Sequence, residues 1–199
     1  VQDVDEFVRF AASDSQVGLE EVVVIAQSVG AVMVATWVHD YAPAIRGLVL
    51  ASPAFKVKLY VPLARPGLAL WHRLRGLFFI NSYVKGRYLT HDRQRVASFN
   101  NDPLITRAIA VNILLDLYKT SERIIRDAAA ITLPTQLLIS GDDYVVHRQP
   151  QIDFYQRLRS PLKELHLLPG FYHDTLGEEN RAQAFEKMQS FISRLYANK

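Results

Sequence analysis

The stretch V-V-V-I-A-Q-S-V-G-A, from Val22 to Ala31, decides the fold. Val22 to Ala26 is a short run rich in β-branched residues, and Ala31 to His39 is apolar with good helix formers mixed in. The pattern predicts a strand, a tight turn and a buried helix. Ser28 sits in the turn between Ala26 and Gly30. A reversal this sharp excludes bulky neighbours and projects the serine oxygen at the strand's C-terminal edge, the setting of a nucleophile. The helix beyond Ser28 points its first N–H groups and positive dipole end at any oxyanion forming there, and the Val29 N–H is the expected donor. The alternative at this point is that Ser28 serves only as a helix N-cap.

Working outward, Gly47 to Ser52 is a second apolar run that stops at Pro53, so strand, helix and strand form a βαβ unit with parallel pairing. From about 54 to 130 the pattern is helical, broken by Pro62, Pro66 and Pro103, with no strand alternation. Strands return at Gln136 to Ser140 and Lys163 to Leu168, with helices over Gln149 to Arg159 and Glu178 to Tyr196. The opening Val1 to Gln16 reads as the end of an amphipathic helix. The expected organisation is one α/β domain over 1–199, with a core of 1–53 and 131–199 and a helical cap insert over about 54–130. Its mostly parallel sheet has about four strands.

A serine hydroxyl needs a base to take its proton, and the base needs an acid partner to fix its tautomer. The strand ending at Ser140 runs into Gly141, Asp142, Asp143 and Tyr144, which places carboxylates just beyond a strand end. Asp143 is the expected acid and Asp142 the alternative. The strand ending at Leu168 is followed by P-G-F-Y-H-D, which puts His173 in the loop before the last helix as the expected base. His39, His72, His91, His147 and His166 lie at positions that suit structural or surface roles.

The chain has 199 residues, 49% of them hydrophobic and 22% charged, enough for one domain with a substantial core. A net charge of +3 with no like-charge run implies no nucleic-acid partner. The absence of cysteine excludes disulfides, thiolate metal sites and a cysteine nucleophile, and agrees with a reducing, cytoplasmic setting. The most apolar stretch, Val22 to Val38, is interrupted by Gln27, Ser28 and Gly30 and does not read as a membrane span.

With these residues in place, the chain resembles the α/β-hydrolase superfamily, and within it the capped serine hydrolases that include monoacylglycerol lipases and lysophospholipases. The matching stretches are Val22 to Ala31, T-Q-L-L-I-S-G-D-D-Y-V-V from Thr135 to Val146, and L-P-G-F-Y-H-D-T-L-G-E from Leu168 to Glu178. Y-L-T-H-D at Tyr88 to Asp92 and N-D-P-L-I at Asn101 to Ile105 look like the pattern of the cap. The acid and histidine stretches look particularly like the hydrolase half of bacterial proteins in which this fold is joined to a methyltransferase. The resemblance implies Ser28 as nucleophile, Asp143 as acid and His173 as base. It also implies that Gln27, standing where histidine is common, tunes the substrate pocket. Such enzymes carry several strands before the nucleophile and a loop, often His-Gly, that supplies the second oxyanion donor. This chain contains no such segment, so an N-terminal part or fused domain beyond Val1, an unpaired strand edge and an incomplete oxyanion hole are expected.

The expected activity is hydrolysis of a carboxylic ester or related acyl compound, most readily a lipid-like one, through an acyl-enzyme on Ser28, with neither metal nor organic cofactor. The substrate is a small acyl ester. A binding module that kept the fold without turnover, and an acyltransferase in which another nucleophile replaces water, are the alternatives.

Overall fold

Gly47–Ala51 and Thr135–Ser140 are buried at every position, as only central strands covered on both faces can be. In the computed structural model of the chain, which describes residues 1–197, they are β2 and β5 of a four-stranded parallel sheet. The last two residues of the expected 1–199 domain lie outside the described residues. Strand β1 (Val23–Gln27) pairs with β2 from Val23 opposite Gly47 to Gln27 opposite Ala51, and β6 (Lys163–Leu168) pairs with β5 from Thr135 opposite Lys163 to Ser140 opposite Leu168. The order β1-β2-β5-β6 brings the C-terminal ends of all four strands to one edge.

The period of two along β2 divides the core. Leu48 and Leu50 pack on the side of helix α2 (Ser28–Tyr41) with Val34, Trp37 and Phe154, while Val49 and Ala51 pack on the side of the last helix with Phe171, Met188 and Phe191. Helix α1 (Gln2–Asp14) packs on α2, and Trp37 donates its indole N–H to Asp5 Oδ1 at 2.9 Å. Among the described residues β1 borders no strand on its outer side, and Ile25, on the same face as Val23, is exposed there.

Between β2 and β5 the chain forms α3 (Ala64–Arg75), β3 (Phe79–Asn81), α4 (Arg93–Asn101), β4 (Ala108–Ala110) and α5 (Val111–Arg126). The antiparallel pair β3–β4, with Ile80 opposite Ile109, lies where only helices were expected. Three residues per strand are too few to display an alternation. Helix α6 (Gln149–Arg157) and helix α7 (Ala182–Ala197) complete the core. Helix α7 starts four residues beyond the expected Glu178, because that side chain is engaged elsewhere, as described below.

Candidate active site

The turn from β1 into α2 is tight enough to hold Ser28 at φ 56°, the left-handed region that a residue with a Cβ enters only under constraint. Ser28 is the first residue of α2, and its backbone carbonyl accepts the Ala54 N–H at 3.0 Å, tying the turn to the loop after β2. Its hydroxyl does not cap the helix. Ser28 Oγ lies 2.7 Å from His173 Nε2, and His173 Nδ1 lies 2.8 Å from Asp143 Oδ2. Asp143 Oδ1 accepts the N–H groups of Val145 at 2.7 Å and Val146 at 2.9 Å. Since a carboxylate only accepts, Nδ1 of His173 carries the proton and Nε2 is left to accept from the Ser28 hydroxyl. Asp143 and His173 are buried, Ser28 is half-buried, and Val29 is exposed beside it at the first turn of α2. The hydrogen bond of His173 Nδ1 goes to Asp143 rather than Asp142, whose backbone N–H donates to Phe171 O at 2.9 Å.

These three side chains come from the C-terminal ends of three parallel strands. Residues 1–180 match the Hydrolase_4 family, described as serine aminopeptidase, S33. The chain belongs to this hydrolase family. It is 97% identical over 199 residues to the "Uncharacterized protein YnbC" of Escherichia coli (strain K12), spanning all of this chain and 34% of that protein. It is 25% identical over 179 residues to the "Phospholipase YtpA" of Bacillus subtilis (strain 168), covering 87% of this chain and 68% of that one. The crystal structure of Paleococcus ferrophilus monoacylglycerol lipase superposes with a TM-score of 0.82 at 17% identity, covering 100% of this chain and 74% of that chain. The fold is that of the α/β-hydrolases.

In this member of the family, hydrogen bonds from distant segments hold the His173 loop. Gln27, expected to tune the substrate pocket, has both ends of its side-chain amide committed to that loop. Its NH₂ donates to Asp174 Oδ1 at 2.9 Å and its carbonyl accepts the Leu176 N–H at 3.0 Å. Both ends of the Gln27 amide are thus hydrogen-bonded to the loop that carries His173. Thr175 Oγ1 is shared by the buried hydroxyls of Ser52 at 2.8 Å and Ser140 at 2.9 Å, so the loop is joined to the ends of β2 and β5. Gly141 has no room for a side chain, because an added Cβ would come within 2.8 Å of Leu168 O and 2.9 Å of Pro169 Cα. Gly30 differs: an added Cβ meets nothing within 4 Å among the described residues, so no described neighbour enforces the smallness expected there.

Glu178 fastens the same loop to the insert. Its buried carboxylate accepts the N–H groups of Tyr172 at 2.8 Å and His91 at 3.1 Å, as well as His91 Nδ1 at 2.9 Å. Burial favours its neutral form, but the hydrogen bonds from Tyr172, His91 and Glu179 prevail and hold the carboxyl below the usual glutamate range. Asp174 Oδ2 adds an ion pair with Arg95 of α4 at 3.0 Å. The rings of His91, Tyr172, Tyr144 and Tyr88 then run in contact from the insert across the two residues that neighbour His173 and Asp143. Sequence reasoning missed these partners, since nothing in the local pattern around Glu178 or Thr175 separates them from ordinary surface residues. Among the described residues no group of three or more histidines and carboxylates is placed to hold a metal ion.

Above the Asp143 loop lies a cavity of about 530 Å³ walled by Leu59, Tyr60, Tyr83, Lys85, Tyr88 and Tyr144. Lys58 donates to the Asp143 carbonyl and Tyr60 OH to the Tyr144 carbonyl at 2.6 Å, which fixes this wall against the acid loop.

Proposed function

We propose that this chain carries the nucleophile, base and acid of a hydrolase that cleaves carboxylic esters of lipid-like acyl groups through an acyl-enzyme on Ser28. The observation that carries the reading is the continuous hydrogen-bonded line from Ser28 through His173 to Asp143. His173 Nε2 takes the hydroxyl proton as Ser28 Oγ bonds to the acyl carbon. The Val29 N–H, at the positive end of α2, donates to the oxyanion. Collapse of this intermediate breaks the ester C–O bond, and the proton on His173 leaves with the alcohol. Water then gives its proton to His173, attacks the acyl carbon and releases the carboxylic acid, with Ser28 recovering its proton.

The cavity beside Asp143 favours an ester over a peptide amino terminus. Its wall offers Lys85, tyrosine hydroxyls and apolar surface, and no carboxylate to pair with an ammonium group. Tyrosine rings suit an acyl chain, and the cation and hydroxyls suit a neutral or anionic polar group. The insert over about 54–130 then acts as the cap that sets substrate choice.

A fluorophosphonate probe tests the nucleophile directly. It should label the native chain at Ser28 and fail to label Ser28→Ala, and 4-nitrophenyl esters of increasing acyl length should be hydrolysed only by the native chain. Equal labelling of Ser28→Ala removes Ser28 from the mechanism. Preference for aminoacyl 4-nitroanilides over the esters removes the ester reading. Transfer of the acyl group to an added alcohol or thiol in preference to water makes the protein an acyltransferase.

A further inference from the structure

Helix α3 has its amphipathicity inside out. Arg65, Leu68 and His72 form its less exposed side, where Arg65 pairs with Glu122 and lies over the Tyr118 ring of α5. The opposite side is apolar and open to solvent, with Leu63 81%, Leu70 60%, Trp71 49% and Leu74 70% exposed. None of the helix is buried. Leu77 and Phe79 continue the exposed surface past its C-terminal end, and Val61 and Tyr60 continue it before the N-terminal end. Single exposed apolar side chains are ordinary, but a contiguous face of leucine and tryptophan is a contact surface.

The charges around this face identify its partner. From Tyr41 to His91 the sequence contains eight lysines and arginines and no aspartate or glutamate, in a protein whose net charge is only +3. The remainder of the chain is therefore net acidic, and of the eight cations Arg46 and Arg65 are paired with Glu21 and Glu122. Arg73 and Arg75 stand on α3 itself, with the Arg75 guanidinium 5.0 Å from the Trp71 ring centroid. Lys85 and Arg87 are exposed, and Lys85 shares a cavity wall with Tyr60 and Val61. A leucine and tryptophan face fringed by Arg73, Arg75, Lys85 and Arg87 matches the interfacial region of an anionic bilayer, where the apolar side enters the acyl boundary and the cations meet headgroups. No helix among the described residues is long and apolar enough to cross a membrane, so the contact is with the surface.

We propose that the α3 face, with its arginine and lysine fringe, docks this protein on anionic lipid bilayers. The docking does not depend on the chemistry assigned to Ser28. The test is co-sedimentation of the full chain with vesicles of phosphatidylglycerol and phosphatidylcholine in equal parts, against vesicles of phosphatidylcholine alone, with Trp71 fluorescence read in parallel. Binding should favour the anionic vesicles, weaken with salt, and bring a blue shift and quenching by brominated lipid that Trp71→Phe removes. The buried Trp37 supplies no such signal. Charge reversal in Arg73→Glu/Arg75→Glu should lower the partition coefficient at least about tenfold, because each cation near an anionic surface contributes on the order of 1 kcal/mol. Leu70→Ser/Leu74→Ser should lower it comparably without altering the melting temperature, since both side chains are already in water. Equal binding to both vesicles, no binding to either, or binding without brominated-lipid quenching of Trp71 overturns the proposal. So does self-association in solution that Leu70→Ser/Leu74→Ser abolishes while vesicle binding is absent or unchanged, which makes the face an interface between copies.

Discussion

Strand β5 and helix α3 are both rich in leucine, and they use it in opposite ways. Every residue of β5 is buried and none of α3 is. Around β5 the side chains are held from both sheet faces, so the loops beyond β5 and β6 start from fixed points and deliver Asp143 and His173 within 2.8 Å of each other. Helix α3 rests on α5 by one side and leaves its apolar side in water. The sheet fixes the geometry of Ser28, His173 and Asp143, and α3 leaves an apolar surface open to the partner proposed above. A fold of this kind can hold side chains rigidly in one region and present a contact surface in another.

The contrast yields graded expectations. Asp143→Asn should lower kcat by roughly 10⁴-fold, by removing the charge that stabilises the imidazolium and by permitting the wrong tautomer of His173. The asparagine carbonyl can still accept from the Val145 and Val146 N–H groups, so the melting temperature should change little. A steady-state assay on an ester substrate beside a thermal melt separates the two effects. Leu138→Ala in β5 should cost about 2–5 kcal/mol by denaturant titration, and Leu74→Ala in α3 should stay within about 0.5 kcal/mol. If these two costs are alike, α3 is buried in solution and the contrast fails.

Thr175→Val should cost about 1–3 kcal/mol, because the buried hydroxyls of Ser52 and Ser140 would lose their shared partner. Removal of Glu178 should be visible mainly through pH. A carboxyl whose folded-state pKa lies below its unfolded value stabilises the fold above the ordinary glutamate range, and that contribution disappears as pH falls through the lowered folded value. Melting temperatures of the native chain and Glu178→Gln should therefore differ at neutral pH and converge in acid. A constant difference across that range means the Glu178 charge contributes nothing.

How much of this was visible in the sequence depended on how local the cause was. The bounds of β6 and the placement of Ser28, Asp143 and His173 just beyond strand ends were legible because each follows a short apolar run of strand length. Pairing between β3 and β4 was not, since the strands are three residues long and their partners lie about 30 positions apart. The start of α7 was misplaced for a related reason. Glu178 suits a helix N-terminus by local rules, but His91 and Tyr172 draw it into a buried cluster whose members no window of sequence contains. Gln27 is expected at the substrate pocket because it stands where the resembled family commonly has histidine, and its hydrogen-bond partners, 147 and 149 positions away, are not visible from that local pattern.

Gln27 also has a mechanical consequence. It is joined through one peptide bond to Ser28 and through two hydrogen bonds to residues on the far side of His173, so the elbow and the histidine loop form a closed ring. A displacement of Ser28 relative to His173 must strain this ring, through the Gln27 bonds to Asp174 and Leu176. On the proposed mechanism the 2.7 Å between Ser28 Oγ and His173 Nε2 is the distance the proton crosses, and the ring through Gln27 is a mechanical reference for that distance, set outside the reacting atoms themselves.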